Sequence, residues 1–160
     1  MKEVKIESRL TVYNDLSELP ERIASLMEQA KEIRLKAYAP YSKFLVGAAL
    51  LLDNGEIITG NNQENASYPS GLCAERTAIY YAGAKYPNAK MLKMALTASS
   101  KNQLTDKPIP PCGACRQAIA EYEIKQELPI EIYFTGAKGK VVKSESLANL
   151  FPLVFESSVL

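Results

Sequence analysis

Residues 45–52 form an almost unbroken apolar run, which Asp53-Asn54-Gly55 interrupts before Ile57 and Ile58 resume it. A run without polar alternation fits a strand buried in a sheet that helices cover. An Asn-Gly pair between two such runs predicts a hairpin. Helices to cover it are legible on either side. Beyond Ser17 and Pro20, the apolar positions Ile23, Leu26, Met27, Ala30 and Ile33 recur at helical spacing. That helix should end near Tyr38, because Pro40 disfavours helical geometry in the residue before it. Further helices are predicted over 72–86 and 112–123, with a short one over 144–150, and strands over 91–98 and 130–135. Near the start, Val4, Ile6, Ser8, Leu10 and Val12 alternate with mostly polar neighbours, which predicts a short strand. The central order of helix, hairpin, helix, strand, helix, strand predicts a layered α/β domain with a mixed sheet.

The chain has 160 residues, 47% hydrophobic and 23% charged, enough for one domain around one core. A formal net charge of +1 argues against a nucleic-acid partner, which normally demands a cationic surplus. No apolar run is long enough to span a bilayer. Met1-Lys2-Glu3-Val4-Lys5 is not the start of a secretory signal, so a cytoplasmic protein with reduced cysteines is expected. Three cysteines is in any case an odd number for a disulfide framework. The chain contains no histidine. Ser-His-Asp and Cys-His nucleophilic arrangements are therefore excluded, and any metal site must be built from other side chains.

Those other side chains are grouped in two short stretches, Cys73-Ala74-Glu75 and Pro111-Cys112-Gly113-Ala114-Cys115. On a helix, Cys112 and Cys115 would project about 60° apart, so both could grip one ion. Each cysteine group falls at a predicted helix start, where free N–H groups and the helix dipole favour thiolate. Zinc with three protein ligands keeps a fourth position open, the mark of a catalytic site. A carboxylate beside it could accept a proton from water and pass it on. Glu75 stands roughly 200° from Cys73 around an ideal helix, so both reach one site only if Cys73 sits at the helix tip. Three thiolates around Zn²⁺ leave a net negative charge, and Arg76 and Arg116 are the adjacent cations to offset it. Buried structural cysteines, a closed structural zinc and a Cys112/Cys115 redox pair are the competing readings. The grouping, the lack of a fourth ligand and the idle Cys73 and Glu75 weigh against each in turn.

Cys-Ala-Glu followed by Pro-Cys-x-x-Cys resembles the signature of the zinc nucleoside and base deaminases. More closely, the chain is similar to the small homotetrameric cytidine deaminases, whose sites use three cysteines and no histidine. The likeness runs through Tyr38-Ala39-Pro40-Tyr41-Ser42-Lys43-Phe44 and on to Leu50. It continues in Gly60-Asn61-Asn62-Gln63-Glu64-Asn65-Ala66-Ser67-Tyr68-Pro69 and Gly71-Leu72-Cys73-Ala74-Glu75-Arg76-Thr77-Ala78. It closes in Pro110-Pro111-Cys112-Gly113-Ala114-Cys115-Arg116-Gln117, and covers most of the chain from about Ser17.

The resemblance implies a three-layer α/β/α sandwich with a mixed five-stranded sheet, and one zinc per subunit on Cys73, Cys112 and Cys115. It implies Glu75 as the proton carrier and Arg76 as a supporting cation. Asn62 and Glu64 would hold the ribose 3′-hydroxyl, Phe44 would pack beside the nucleoside, and the Ala74 backbone would meet the pyrimidine carbonyl. Ala66 and Tyr68 would approach the 5′-hydroxyl from a neighbouring subunit of a homotetramer. Phe155, or Phe151 close by, would stack on the base across the interface. Residues 1–18 exceed the compact family pattern and form an extension of a single domain spanning 1–160. The implied activity is hydrolytic deamination of free cytidine and 2′-deoxycytidine in pyrimidine salvage. Relatives acting on aminopyrimidine nucleoside antibiotics or on polynucleotides, and a non-catalytic zinc protein, are the alternatives. A Glu64 carboxylate near the 3′-oxygen would repel a polynucleotide phosphate, and a purely structural zinc has no use for Glu75.

Overall fold

The computed structural model describes residues 1–156 and 160. Helix α1 (Glu21–Arg34) buries Ile23, Leu26, Met27 and Ala30 along one side, the spacing that predicts it. It ends at Arg34 and not near Tyr38. The Lys36 and Ala37 amides turn back to the Ile33 and Arg34 carbonyls. Tyr38 then pairs like a strand residue, its N–H donating to Asn62 O and its carbonyl accepting from Glu64 N.

The apolar run becomes β2 (Phe44–Leu52), joined by the expected hairpin to β3 (Ile57–Asn61). Gly55 takes φ +87° in that turn, a conformation glycine adopts without penalty. Helix α2 (Ala74–Lys85), β4 (Met91–Ser100), α3 (Gly113–Gln126) and β5 (Glu131–Thr135) follow as expected, with ends shifted by a few residues. Two strands complete the sheet: β6 (Val141–Ser144) and, at its outer edge, β1 (Thr11–Tyr13). The order is β1-β6-β5-β4-β2-β3, with β4 and β5 parallel and every other neighbour antiparallel.

Six strands replace the five expected. β6 is only four residues long, too short for a periodic signal, and its hairpin turns through Gly139 at φ +91°. The N-terminal strand is shorter than its alternation suggests. Thr11 faces Lys143, and just beyond Ser144 the partner strand gives way to a 3-10 turn, so residues 1–10 enter no ladder. That turn (Leu147–Asn149) replaces most of the expected last helix. The Glu123 carboxylate accepts from the Ile130 and Leu147 amides and fixes it there.

Both faces of the sheet are covered. Ala48, Leu50 and Leu52 pack beneath α2 and α3 with Ala78, Ile79, Ile119, Met94 and Ile132. Ala49 and Leu51, the alternate residues of the same strand, pack beneath α1 with Leu26, Met27 and Ala95. A strand buried on both sides explains the unbroken run, and the result is the expected α/β/α sandwich.

β3 and β4 both pair antiparallel to β2 and so run in one direction. The helices that follow them, α2 and α3, therefore begin at the same edge of the sheet, outside the strands' carboxyl ends. Contact at that edge is close. A Cβ on Gly60 would lie 2.6 Å from both the Ala74 carbonyl oxygen and the Ala78 nitrogen of α2. Gly60→Ala must push the helix off the sheet. We expect a loss of about 3 kcal/mol and a melting temperature roughly 10 °C lower, read by thermal denaturation.

Candidate metal and catalytic site

Cys73 is the N-cap of α2 and Cys112 the N-cap of α3, each with extended backbone. Cys115 lies one turn into α3 and is fully buried, whereas Cys112 is exposed. Their sulfurs converge: Cys73 Sγ to Cys112 Sγ is 3.8 Å, Cys112 Sγ to Cys115 Sγ is 3.5 Å, and all three fall within 4.8 Å of one another. Ligands of a tetrahedral zinc with Zn–S near 2.3 Å sit about 3.8 Å apart, so the donor set fits one such ion. Accepting a hydrogen bond from the Cys115 thiol lowers Cys73 to about 5, against the upward push of burial and with help from Arg76. Cys115 is driven up by donating that bond and by its burial.

Placing Cys73 at the cap resolves the angular problem its spacing poses. Its side chain projects past the helix end, and Glu75 inside the first turn lines the same cleft. Glu75 is 5% exposed, and that burial pushes its carboxyl up to about 7. A cation held by the sulfurs would draw it back down. Arg76 Nη2 donates to Cys73 Sγ at 3.7 Å, the compensating contact that three thiolates require. Arg116 does not share that work. Its Nε donates to Pro111 O at 2.9 Å and its Nη1 to Leu150 O at 2.7 Å, so it ties the cysteine loop to the C-terminal segment.

The cleft has a volume of about 730 Å³, room for a nucleoside-sized ligand. Phe44, Asn62, Glu64 and Tyr68 line it together with Cys73, Cys112 and Glu75. The Asn62 side chain also holds strand β2: Val46 N donates to its Oδ1 at 2.8 Å and its Nδ2 donates to Phe44 O at 2.9 Å. One N–H and one lone pair of that amide remain for a ligand. Glu64 accepts from the Tyr41 amide at 2.9 Å, the Ser42 amide at 3.3 Å and the Ser42 hydroxyl. Desolvation pushes its carboxyl up, but these bonds, together with the Lys43 charge, outweigh it and hold the carboxyl below the usual range. Ala74 is fully buried as the first residue of α2. Ala66 lies in the exposed loop between β3 and α2, beside Tyr68, which is 76% exposed at the cleft mouth. Phe155 does not line the cleft of its own chain and is exposed, its carbonyl accepting from Gln117 Nε2. Phe151 packs instead against the core beneath α3.

Sequence reasoning passed over Leu96, Ala98 and Ile109, which also line the cleft. Leu96 and Ala98 belong to an apolar strand with no local mark of function, and only the tertiary fold turns them toward the cleft.

Residues 20–128 match the family model for the cytidine and deoxycytidylate deaminase zinc-binding region. The chain belongs to this family. It is 39% identical over 133 residues to the cytidine deaminase of Sporosarcina psychrophila, covering 83% of this chain and 90% of that one. Over 96 residues it is 47% identical to the cytidine deaminase of Halalkalibacterium halodurans, 60% of this chain and 68% of the relative. The crystal structure of cytidine deaminase from Burkholderia pseudomallei superposes with a TM-score of 0.71 at 38% identity, over 86% of this chain and all of that one. This deaminase thus carries the zinc-binding region of its family, and Cys73, Cys112 and Cys115 are the cluster in it that fits the ion.

Proposed function

We propose that this protein hydrolyses the 4-amino group of free cytidine and 2′-deoxycytidine, giving uridine or 2′-deoxyuridine and ammonia, in pyrimidine salvage. The observation that carries the reading is Glu75, a buried carboxylate on the same cleft as three clustered cysteine sulfurs. Cys73, Cys112 and Cys115 would hold zinc, whose Lewis acidity makes water a nucleophile at neutral pH. Glu75 accepts the proton that the attacking water loses and delivers it to N3 of the pyrimidine. The C4–O bond forms as N3 is protonated; Glu75 then takes the remaining proton of the new C4 hydroxyl and gives it to N4, so that the C4 carbonyl forms as the C4–N4 bond breaks and ammonia leaves. The burial of Glu75 supports this role, since desolvation pushes the carboxyl up against the downward pull of the cation, and a raised carboxyl both accepts and returns a proton readily.

Phe44 packs against the nucleoside, the Ala74 backbone meets the pyrimidine carbonyl, and the free valences of Asn62 with Glu64 bind the 3′-hydroxyl. A carboxylate that Ser42 and two amides keep ionised favours a sugar hydroxyl over a phosphate there. The protein acts as a single domain with residues 1–18 as an extension, in the cytoplasm, as a homotetramer. In it, Ala66, Tyr68 and Phe155 serve a neighbouring subunit's site. The exposure of Tyr68 and Phe155 supports that role, and no described helix is long and apolar enough to cross a membrane. The test is ammonia release from cytidine, 2′-deoxycytidine, an aminopyrimidine nucleoside antibiotic and a cytosine-containing single-stranded oligonucleotide. Release from the two free cytosine nucleosides is expected. No release from either, or faster release from the oligonucleotide, overturns the reading.

A further inference from the structure

The segment ahead of the family region leaves an unusual surface. Residues 1–10 enter no ladder, yet Val4, Ile6 and Leu10, with Ser8 between the last two, occupy the even positions between charged residues and are 71%, 50% and 45% exposed. The odd positions Glu3, Lys5, Glu7 and Arg9 carry alternating charge. Lys5 Nζ reaches Glu7 Oε1 at 2.6 Å, so these two residues, two apart, project to one side as in an extended strand. The chain enters the sheet only at Thr11, and β6, its neighbour there, ends at Ser144. Residues 3–9 thus run on from β1 beyond its partner; the Arg9 amide donates to Asn149 Oδ1 at 3.0 Å on the side of β6, and the outer backbone edge has no ladder partner among the described residues.

We propose that residues 3–9 pair antiparallel with the same segment of a second copy of this chain, in the register that sets Ile6 opposite the partner's Ile6. The charge sequence selects that register. Residues directly opposite in an antiparallel pair share a face, so the apolar positions stay together only when even residues face even ones. With Ile6 on the two-fold axis, Glu3 faces Arg9 and Lys5 faces Glu7, twice each by symmetry. Centring on Lys5 or Glu7 instead sets that charge against itself and pairs Glu3 with Glu7 or Lys5 with Arg9. Such exposed pairs add little strength. They choose the alignment, while ladder hydrogen bonds and the joined apolar faces of Val4 and Ile6 hold it. The interface lies outside the family-matched region of 20–128.

The test is disulfide trapping in the full-length, zinc-loaded protein. Opposed residues in an antiparallel pair lie within the Cα separation that a disulfide spans, whereas Val4 and its symmetry mate would be about 14 Å apart. Ile6→Cys and Val4→Cys are oxidised in a glutathione buffer and followed by non-reducing electrophoresis, with the parent chain as baseline for the native cysteines. Ile6→Cys should give covalent dimer about tenfold or more faster than Val4→Cys. Added to Ile6→Cys, Glu3→Arg or Arg9→Glu alone should slow trapping, and mixing the two should restore it as a heterodimer. Equal trapping at both positions, or none at Ile6→Cys in a protein that keeps zinc and turnover, overturns the proposal. So does trapping that neither charge change alters.

Discussion

Glu75→Gln should lower turnover on cytidine by about four orders of magnitude while zinc content stays at the parent level. The substitution keeps shape and hydrogen-bonding reach but abolishes proton transfer. No other described residue on the cleft offers the same service. Glu64 is engaged by the Ser42 hydroxyl and two backbone amides. The tyrosines at the mouth, Tyr41 and Tyr68, are largely exposed. Under the proposed mechanism Glu75 serves both the attacking water and the departing nitrogen, so its loss should appear in kcat far more than in KM. After the zinc is chelated, the variant should also melt no lower than the parent. In the metal-free protein burial raises the Glu75 carboxyl from the ordinary 4.5 to about 7, so above the unfolded value the ionised group weakens the fold, and a neutral amide removes that penalty. Metal analysis, steady-state kinetics and a melting curve on one preparation separate these effects. Near-normal turnover would falsify the assignment of Glu75, and lost zinc would make it a scaffold for the metal.

The cysteine cluster and the glutamate beside it were legible because their constraint is local. Cys112 and Cys115 share a face at any helix start, and Cys73 with Glu75 demands a capping cysteine, which α2 supplies. The unbroken run of β2 likewise announced a strand covered on both faces. What escaped was set by distant partners. Val4 to Val12 alternates as a strand should, yet only Thr11–Tyr13 found an edge to pair with. Residues 144–150 carry helix-compatible side chains. Ser144 instead pairs with Ile132 in β6, and Glu123 captures the next turn through the Leu147 amide. Arg116 sits beside a cysteine in sequence and was drawn to the Pro111 and Leu150 carbonyls in space. Proximity along the chain identified the metal cluster but could not rank the two arginines around it.

Cys112→Ala should remove the zinc, from about one ion per chain to less than a tenth, and with it all measurable turnover. Cys112 is the informative choice because it is exposed at the cleft and caps α3, so its truncation opens no cavity. Cys115 is fully buried beneath α3, and the same change there would mix metal loss with packing loss. With one sulfur gone, two thiolates bind too weakly to retain the ion through dialysis, and the Arg76 charge turns from compensation into repulsion. The metal would join the starts of two helices, so its loss should also lower the melting temperature by several degrees. Chelation of the parent supplies the control. It should reproduce both losses, and added zinc should reverse them in the parent but not in Cys112→Ala. A variant that kept a full equivalent of zinc would move the third ligand elsewhere. Since no histidine exists to replace it, Glu75 would be the nearest donor, and a glutamate bound to the metal could not also carry its proton.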